Sequence, residues 1–234
     1  MRQSTIGKDE FTNREHAQFR CCPYSADVLP NGHAMIKASH KTPAPDTHPL
    51  LFTPLQIRST RLRNRIVVSP MCQYHSIDGG PTAWQEVNFG KFAVGGAAIV
   101  FGEETAIEAH GRKTHTCAGL WSDAHSVAYR RITDFIRQQG AVPAIQLGHS
   151  GGKGACHGAQ KDWAPLTPET AEPNHEPWTC LVPSPLHPPR PWPIVHEMDV
   201  ADIRKHLAHW KSAVQRAQDA GYELLEIHGA HGYL

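Results

Sequence analysis

From residue 50 onward, four short apolar segments alternate with segments of helical period, and this order limits the chain to few folds. The apolar segments are RIVVSP (65–70), GAAIVFGEE (96–104), AVPAIQLGH (141–149) and YELLEIHG (222–229). Each is rich in Val, Ile and Leu with little polar alternation, as is typical of parallel strands covered on both faces. The order predicts a parallel α/β fold, either a barrel or a doubly wound open sheet.

Helical periodicity is clear in two of the intervening segments. One runs from Ser122, a suitable N-cap, to Gln139, and Gly140 ends it. The other carries an apolar stripe and ends at Gly221. A third, less regular helix is predicted over 82–96. The apolar stripe consists of Ile203, Leu207, Trp210, Val214 and Ala217.

Two regions fall outside this repeat. Residues 1–48 are polar, mixed in charge and end in the Pro-rich KTPAPDTHP, so we expect a flexible N-terminal extension before a domain at 49–234. Residues 162–193 form a Pro/Trp-rich excursion after the third strand. It is too long for an incidental connection, and we expect a surface lobe over the site.

Composition argues against several classes of function. A net charge of +1 gives no electrostatic basis for binding nucleic acid or an anionic membrane. No apolar run approaches the roughly 18 residues of a membrane span, and the N-terminus lacks the apolar core of a secretory signal. The six cysteines include no Cys-x-x-Cys pair, which predicts reduced thiols in a cytoplasmic protein. The 17 histidines are scattered along the sequence, so no metal site is predicted.

Polar, titratable or Gly-rich residues follow every predicted strand, in SPMCQY, EETAIEAHGRK, QLGHSGGKG and HGAHGY. A parallel barrel builds its active site at the carboxyl ends of its strands, whereas an open sheet binds ligands at one switch point. Four such strand ends therefore favour the barrel. GHSGGKG lacks P-loop spacing, and no G-x-G-x-x-G follows the first strand, so neither nucleotide-binding motif is supported.

The last of these groups contains His228, His231 and Tyr233, and it allows three interpretations. The histidines are ordinary loop residues, or they are metal ligands, although no carboxylate stands at H-E-x-x-H spacing. In the third interpretation, two neutral imidazole N–H groups polarise one carbonyl oxygen and the tyrosine hydroxyl delivers a proton. This interpretation fits best, and it predicts a site that needs an electron donor.

Four stretches resemble, in order and spacing, the signatures of the old yellow enzyme family of FMN-dependent ene reductases. They are LFTPLQIRSTRLRNRIVVSPMCQY (51–74), GLWSDAH (119–125), AIQLGHSGGK (144–153) and EIHGAHGYL (226–234). The branch with a cysteine in the first strand-end motif is the most similar. The resemblance implies a (β/α)8 TIM barrel with FMN as cofactor and NAD(P)H as reductant. It also implies reduction of the activated C=C bond of a small α,β-unsaturated carbonyl substrate.

The resemblance further implies roles for individual residues. The Cys72 thiol would lie near the reactive edge of the flavin and tune its potential, and the Gln146 amide would bind the pyrimidine edge. His228 and His231 would bind the substrate carbonyl, with Tyr233 as proton donor. Alternatively, Cys72 is a small buried hydrophobe, Gln146 a strand-end amide, and the tyrosines pack at a pocket rim. The rest of the predicted set comprises Ser69, Pro70, Met71 and Glu104 along the flavin, and Tyr74 in the substrate pocket.

Some positions depart from the family pattern. Glu104 stands where a small residue usually lies against the flavin, so its charge would shift the flavin potential. Gly152 replaces a common arginine, and Gln85 and Asn88 stand where histidines are frequent. These departures leave the substrate open between an enone, an aromatic compound and a CoA thioester.

The number of strands is small for a whole barrel, which needs eight strand–helix units in about 250 residues. Four predicted strands therefore indicate the N-terminal half of a longer protein, with weak FMN binding and impaired activity when alone. Full-length members of the family are often homo-oligomers. A metal-dependent barrel hydrolase and a non-catalytic barrel fragment are the alternative hypotheses.

Overall fold

The computed structural model describes residues 49–185 and 194–234. The predicted extension at 1–48 and residues 186–193 of the excursion lie outside the described residues. In chain order the strands and helices are β1 (Leu55–Ile57), β2 (Thr60–Leu62), β3 (Val67–Val68), α1 (Ala83–Val94), β4 (Ile99–Ala106), α2 (Asp123–Gln138), β5 (Val142–Gly148), β6 (Cys180–Val182), β7 (Val195–Glu197), α3 (Val200–Asp219) and β8 (Leu224–Ile227).

The central sheet has four parallel strands in the order β3-β4-β5-β8. Each lies within or overlaps one of the four predicted segments, so the predicted strands and their parallel order are confirmed. The helices between them pack on one face of the sheet, where Val100, Ile145 and Leu147 are fully buried against residues of α1, α2 and α3. The short antiparallel hairpin β1–β2 was not predicted, and its Leu62 packs on Ala144 and other apolar residues of the sheet.

One row of polar side chains crosses the sheet near its carboxyl ends. Glu104 in β4 pairs in register with Gln146 in β5, which pairs in register with Glu226 in β8. Side chains in equivalent positions of neighbouring strands point to the same face, so these three residues share a face of the sheet. A register shift between Phe101 and Glu104 in β4 sets this row.

The helices begin and end at residues that satisfy their backbone groups. Ser122 accepts a hydrogen bond from the backbone N–H of His125 (3.3 Å) at the start of α2, as predicted. Asp199 forms a capping box with Asp202 at the start of α3. Gly140 and Gly221 follow α2 and α3 with φ values of +75° and +86°, a conformation that glycine adopts without steric cost.

The predicted apolar stripe of α3 is buried only in its C-terminal half. Ala213 and Ala217 are buried, and Trp210 and Val214 pack against the core. Ile203 and Leu207 are 44% and 61% exposed. The core cluster includes α3 residues only from Trp210 onward, so the described structure leaves the N-terminal half of the apolar stripe exposed.

The Pro/Trp-rich excursion has a small core of its own. Ala155, Leu166, Trp178 and Cys180 form a buried apolar cluster, and β6 pairs with β7 in parallel. The Trp178 indole N–H donates to the backbone oxygen of His110 (3.0 Å), which attaches this core to the segment after β4.

The outer strands of the sheet expose apolar side chains. Val67 in β3 is 47% exposed and Ile227 in β8 is 64% exposed. Among the described residues, β3 pairs only with β4 and β8 pairs only with β5. None of the helices in the described part of the chain is long and apolar enough to cross a membrane.

Candidate active site

The carboxyl ends of the four parallel strands carry the predicted site residues. Ser69, Pro70 and Met71 directly follow β3, outside any helix or strand; Ser69 and Met71 are exposed and Pro70 is half-buried. Cys72 comes next as a half-buried free thiol. Burial raises the pKa of Cys72, and the Lys113 ammonium only partly offsets that effect. The thiol is therefore neutral at pH 7.

A buried ion pair lies beside this thiol. The Lys113 ammonium contacts the Glu104 carboxylate, and the two side chains are only 7% and 6% exposed. Burial alone would lower the pKa of Lys113, but the negative charge of Glu104, with smaller contributions from Cys72, raises it above its ordinary value. Lys113 is a fixed positive charge in the site. Lys113 was not among the predicted site residues, because the sequence does not show that Glu104 is buried and therefore requires a partner.

Lys113 also reaches the loop after β8. Its Nζ lies 5.4 Å from the ring centroid of Tyr233, and the Nζ of Lys153 lies 5.6 Å from the same centroid. Two cations thus flank one phenol ring. Burial raises the pKa of Tyr233, and the nearby Lys113 lowers it in part. The hydroxyl keeps its proton at neutral pH.

The two predicted histidines lie side by side. The Nδ1 atom of His231 is 3.3 Å from the Nε2 atom of His228, and their ring centroids are 5.1 Å apart. The ring of Tyr233 is 5.2 Å from that of His228. His231 has a φ of +59°, a left-handed conformation that is costly for a residue with a side chain. The structure therefore brings the three predicted catalytic residues together.

Gln146 occupies the middle of the polar row across the sheet. Its Nε2 donates to Glu226 Oε1 (2.5 Å), and its side chain is largely buried. The neighbouring Glu104 Oε1 is buried without a hydrogen-bond partner among the described residues. Buried acceptors are rarely left unpaired, so this oxygen marks a position where a ligand donor would be favourable.

Tyr74 faces a cavity that the histidine pair does not line. It lines a cavity of about 430 Å³ with residues of the excursion, and its ring is 5.1 Å from that of Trp163. His228, His231 and Tyr233 are not among the residues that line this cavity. Tyr74 has a φ of +56°, so its backbone, like that of His231, is left-handed.

Two departures from the family pattern have structural explanations. Gln85 is fully buried, and its amide donates to Glu103 Oε1 and to Ser76 Oγ, both at 3.1 Å, while its oxygen caps α1 at Thr82. It holds the segment before α1 rather than a ligand. At Gly152, a Cβ atom would lie 3.0 Å from Val182, which leaves little room for a side chain unless Val182 moves.

A second cluster of titratable groups lies next to these strand ends. Glu108, His149 and His206 place one ligand-type atom each within 4.8 Å of one another, and His209 contacts the second oxygen of Glu108. The fold therefore brings together histidines that are far apart in the sequence. The sequence features that could have indicated this cluster are the His206-x-x-His209 pair on one helix face and the positions of Glu108 and His149 just after two strands.

Comparison with known proteins identifies the family. The model of the NADH:flavin oxidoreductase / NADH oxidase family matches residues 50–234. The chain belongs to this family. NADPH dehydrogenases from Geobacillus sp. (strain WCH70) and Bacillus subtilis (strain 168) are 34% and 33% identical over 187 and 186 residues, which are 79% of this chain and 49% of each relative.

A solved structure confirms the fold of this family member. The old yellow enzyme homologue from Zymomonas mobilis matches with a TM-score of 0.63 and 24% identity, over 80% of this chain and 50% of that chain. The four-stranded sheet is therefore part of a TIM barrel, as predicted. The chain spans about half the length of the relatives that it matches.

Proposed function

We propose that this chain carries part of the active site of an FMN-dependent ene reductase that uses NAD(P)H. The observation that supports this most directly is the cluster of His228, His231 and Tyr233 behind β8, beside the buried charge of Lys113. The proposed reaction reduces the C=C bond of a small α,β-unsaturated carbonyl compound.

The residues at the strand ends suit FMN. Gln146 offers an amide with both a donor and an acceptor, and Glu104 Oε1 is a buried acceptor that an N–H group of the flavin ring would satisfy. The segment Ser69, Pro70 and Met71 follows β3 at the carboxyl ends of the strands, and two of its three residues are exposed. Reduced FMN supplies a hydride when bound.

The histidine pair is suited to hold a carbonyl oxygen. Two imidazoles whose nearest nitrogens are 3.3 Å apart can both donate to one oxygen placed between them, once they release each other. Donors fixed before the reaction stabilise the negative charge that develops on an enolate oxygen. His228 is half-buried and His231 is exposed, so the oxygen would enter from the solvent side.

Tyr233 is the proposed proton donor to the α-carbon. Its pKa is raised by burial, so it holds its proton until the substrate carbanion develops. The ammonium groups of Lys113 and Lys153 stand over its ring and favour the phenolate that remains after proton transfer.

Two further parts of the proposal rest on the cavity and the thiols. The cavity beside Tyr74 has the volume to hold a remote part of the substrate, which accommodates an aromatic or thioester group as well as a simple enone. Cys72, Cys117, Cys156 and Cys180 are all free, which fits a reducing compartment such as the cytoplasm.

Replacing Tyr233 tests the proton-transfer role. The chain is supplemented with FMN and assayed with NADPH and 2-cyclohexenone, and Tyr233→Phe is expected to lower the rate of enone reduction about 10²-fold. The same preparations are assayed with ferricyanide in place of the enone. That rate should be unchanged, because an electron acceptor of this kind needs no proton from Tyr233. Equal enone rates in the two proteins would show that another group donates the proton.

Flavin retention is tested separately. The chain is mixed with FMN, desalted and examined by visible absorption spectroscopy. We expect little retained flavin because, among the described residues, β3 and β8 each pair on one side only and the chain is exposed at Met71 and Ile227, beside the ends of these strands. A flavin band that remains with the protein at one equivalent would show that the described strand ends suffice for tight binding.

A further inference from the structure

Three histidines converge on one glutamate at a position outside the proposed flavin site. Glu108 lies two residues after β4, His149 directly follows β5, and His206 and His209 lie one helical turn apart on α3. Residues three apart on a helix share a face, so α3 presents both imidazoles to the loops after β4 and β5. None of the four belongs to the predicted flavin or substrate set.

We propose that Glu108, His149 and His206 bind a divalent transition-metal ion of the zinc class. The ligand atoms are Glu108 Oε1, His149 Nε2 and His206 Nδ1, which all lie within 4.8 Å of one another. Two imidazoles and one carboxylate form a donor set that zinc accepts, with a further position left for water. His209 Nδ1 lies 3.1 Å from Glu108 Oε2, beside the proposed ligands.

The distances in the cluster favour an ion over hydrogen bonds alone. Glu108 Oε1 is 3.3 Å from His149 Nε2 and 3.4 Å from His206 Nδ1. Hydrogen bonds between nitrogen and oxygen are usually about 2.7–3.2 Å long, so both contacts are long. Ligands at about 2.0–2.1 Å from a tetrahedral zinc ion are separated by about 3.3–3.4 Å, which agrees with both distances.

Burial gives a second and independent indication. His149 is completely buried, and its Nε2 has no hydrogen-bond partner among the described residues; the same is true of the buried Nδ1 of His209. Buried polar atoms without partners are costly, and a bound ion would remove that cost for His149.

Two contacts determine how protons move when an ion binds. The backbone N–H of Gly151 donates to His149 Nδ1 (3.0 Å), and the Trp210 indole N–H donates to His206 Nε2 (2.9 Å). Without an ion, the imidazole protons therefore reside on the nitrogens that face Glu108. For an ion to bind, each of these protons must move to the other nitrogen of its own ring, and the two donors must turn aside because those nitrogens then carry N–H groups themselves.

The site has an opening and a connection to the candidate active site. A cavity of about 70 Å³ borders Glu108, His206 and His209, which is enough for a water molecule to complete the coordination. The backbone oxygen of His149 accepts a hydrogen bond from the backbone N–H of Leu234 (3.1 Å), next to Tyr233. An ion held by His149 would thus stiffen the loop that carries the proposed proton donor.

Cobalt binding tests the proposal in the full chain. Co²⁺ in a four-coordinate site gives intense visible absorption, whereas Co²⁺ bound loosely in octahedral form does not, so ions held loosely at exposed histidines contribute little to this signal. The purified chain is titrated with Co²⁺, and Zn²⁺ is then added in competition. We expect one equivalent of four-coordinate Co²⁺, which Zn²⁺ displaces.

Matched variants locate the ion. Glu108→Gln and His206→Gln keep side-chain size and should abolish the visible bands, while His209→Ala should weaken Co²⁺ binding about 10–100-fold. His196→Ala, an exposed histidine paired with Asp202 near the start of α3, is the control and should bind as the parent chain does. Circular dichroism shows whether each variant is folded. A rise in melting temperature on adding Zn²⁺ that occurs in the parent chain and in His196→Ala, but not in the other variants, would independently place the ion at this cluster.

Three outcomes would overturn the proposal. The first is a parent titration without four-coordinate bands, and the second is an undiminished signal in folded Glu108→Gln. The third is a loss of signal in His196→Ala equal to that in His206→Gln. If the parent chain shows no four-coordinate bands, the imidazole N–H groups hold the Glu108 carboxylate directly. The cluster then attaches α3 to the strand ends without a metal ion.

Discussion

Lys113 and Glu104 are each costly to bury alone, and each is stabilised by the other. Both side chains are more than nine-tenths buried; Glu104 lies in β4, and Lys113 lies just after a short 3-10 helix at Ala109–Gly111. Removing one partner of a buried ion pair leaves an uncompensated charge. Lys113→Met should therefore lower the free energy of unfolding by about 3–5 kcal/mol, measured by urea denaturation followed by circular dichroism.

The double variant provides the control. Replacing both partners by apolar residues of similar size removes the unpaired charge, so Lys113→Met combined with Glu104→Leu should recover most of the lost stability. If the double variant is less stable than Lys113→Met alone, the cost lies in packing rather than in charge. A loss below about 1 kcal/mol in Lys113→Met would indicate that water reaches Glu104 and screens its charge.

The buried thiols give a prediction at single residues. Burial raises the pKa of Cys117 to about 11 and those of Cys156 and Cys180 to about 12. At pH 8 only ~10⁻³ to 10⁻⁴ of these thiols are ionised, and only the thiolate reacts. Iodoacetamide at pH 8 should therefore label them slowly in the native chain and rapidly in urea, as followed by mass spectrometry of tryptic peptides.

Half-buried Cys72 is the internal comparison for this experiment. Its pKa is also raised by burial, but its side chain is more accessible than those of the three buried cysteines, so it should be labelled before them. Native labelling of Cys117, Cys156 or Cys180 as fast as in urea would show that the surrounding segments open readily.

Residues of the candidate site could be predicted from sequence where they directly follow a strand, but not where their role depends on a tertiary contact. His228, His231 and Tyr233 were found from sequence because they occupy one short loop after β8. Lys113 was missed because its partner Glu104 lies on another element, and the sequence does not show that both are buried. Burial is a property of the fold, which spacing alone does not reveal.

The ends of the helices depend on a few glycines, and Gly221 after α3 is the clearest. Its φ is +86°, and an added Cβ atom would lie 3.0 Å from Thr133 Oγ1. Gly221→Ala should therefore lower the free energy of unfolding by about 1–2 kcal/mol, since alanine is strained in this conformation. Urea denaturation measures the change.

Gly229 is the matched control for this variant. A Cβ atom at Gly229 would meet nothing within 4 Å, and its φ is not in the left-handed region. Gly229→Ala should change stability by less than about 0.5 kcal/mol. If the two substitutions lowered the stability equally, neither the positive φ of Gly221 nor the close approach of Thr133 would explain why glycine stands there.

Elements were predicted well where sequence-local rules apply. The alternation of apolar runs gave all four parallel strands, and Ser122, Gly140 and Gly221 marked helix ends correctly. The β1–β2 hairpin and the exposed N-terminal half of α3 were not predicted, because both depend on which surface the remaining elements cover. Periodicity shows that a face is apolar and does not show what packs against it.

At the scale of the whole molecule, the sheet formed by the described residues is part of a barrel, and its outer strands β3 and β8 each pair there on one side only. A closed barrel has no edges, whereas here Val67 and Ile227 on the outer strands are exposed. The chain also spans about half the length of its relatives, whose TIM barrel it shares in part. The number of apolar segments therefore predicted the extent of the barrel correctly.

Open edges with exposed apolar side chains should make the chain self-associate. An unpaired parallel strand offers its backbone groups to another chain, and the exposed side chains of Leu225 and Ile227 in β8 add an apolar surface beside them. Sedimentation velocity of the purified chain should show a weight-average mass that rises with concentration.

Ile227→Lys should reduce this association, because a charge on an edge strand disfavours pairing. Val127→Lys, at a residue 73% exposed on α2, places the same charge away from both edges and should leave the association unchanged. If the parent chain sediments as a monomer throughout, or if both variants reduce the association equally, the edge of β8 is not the surface through which chains meet.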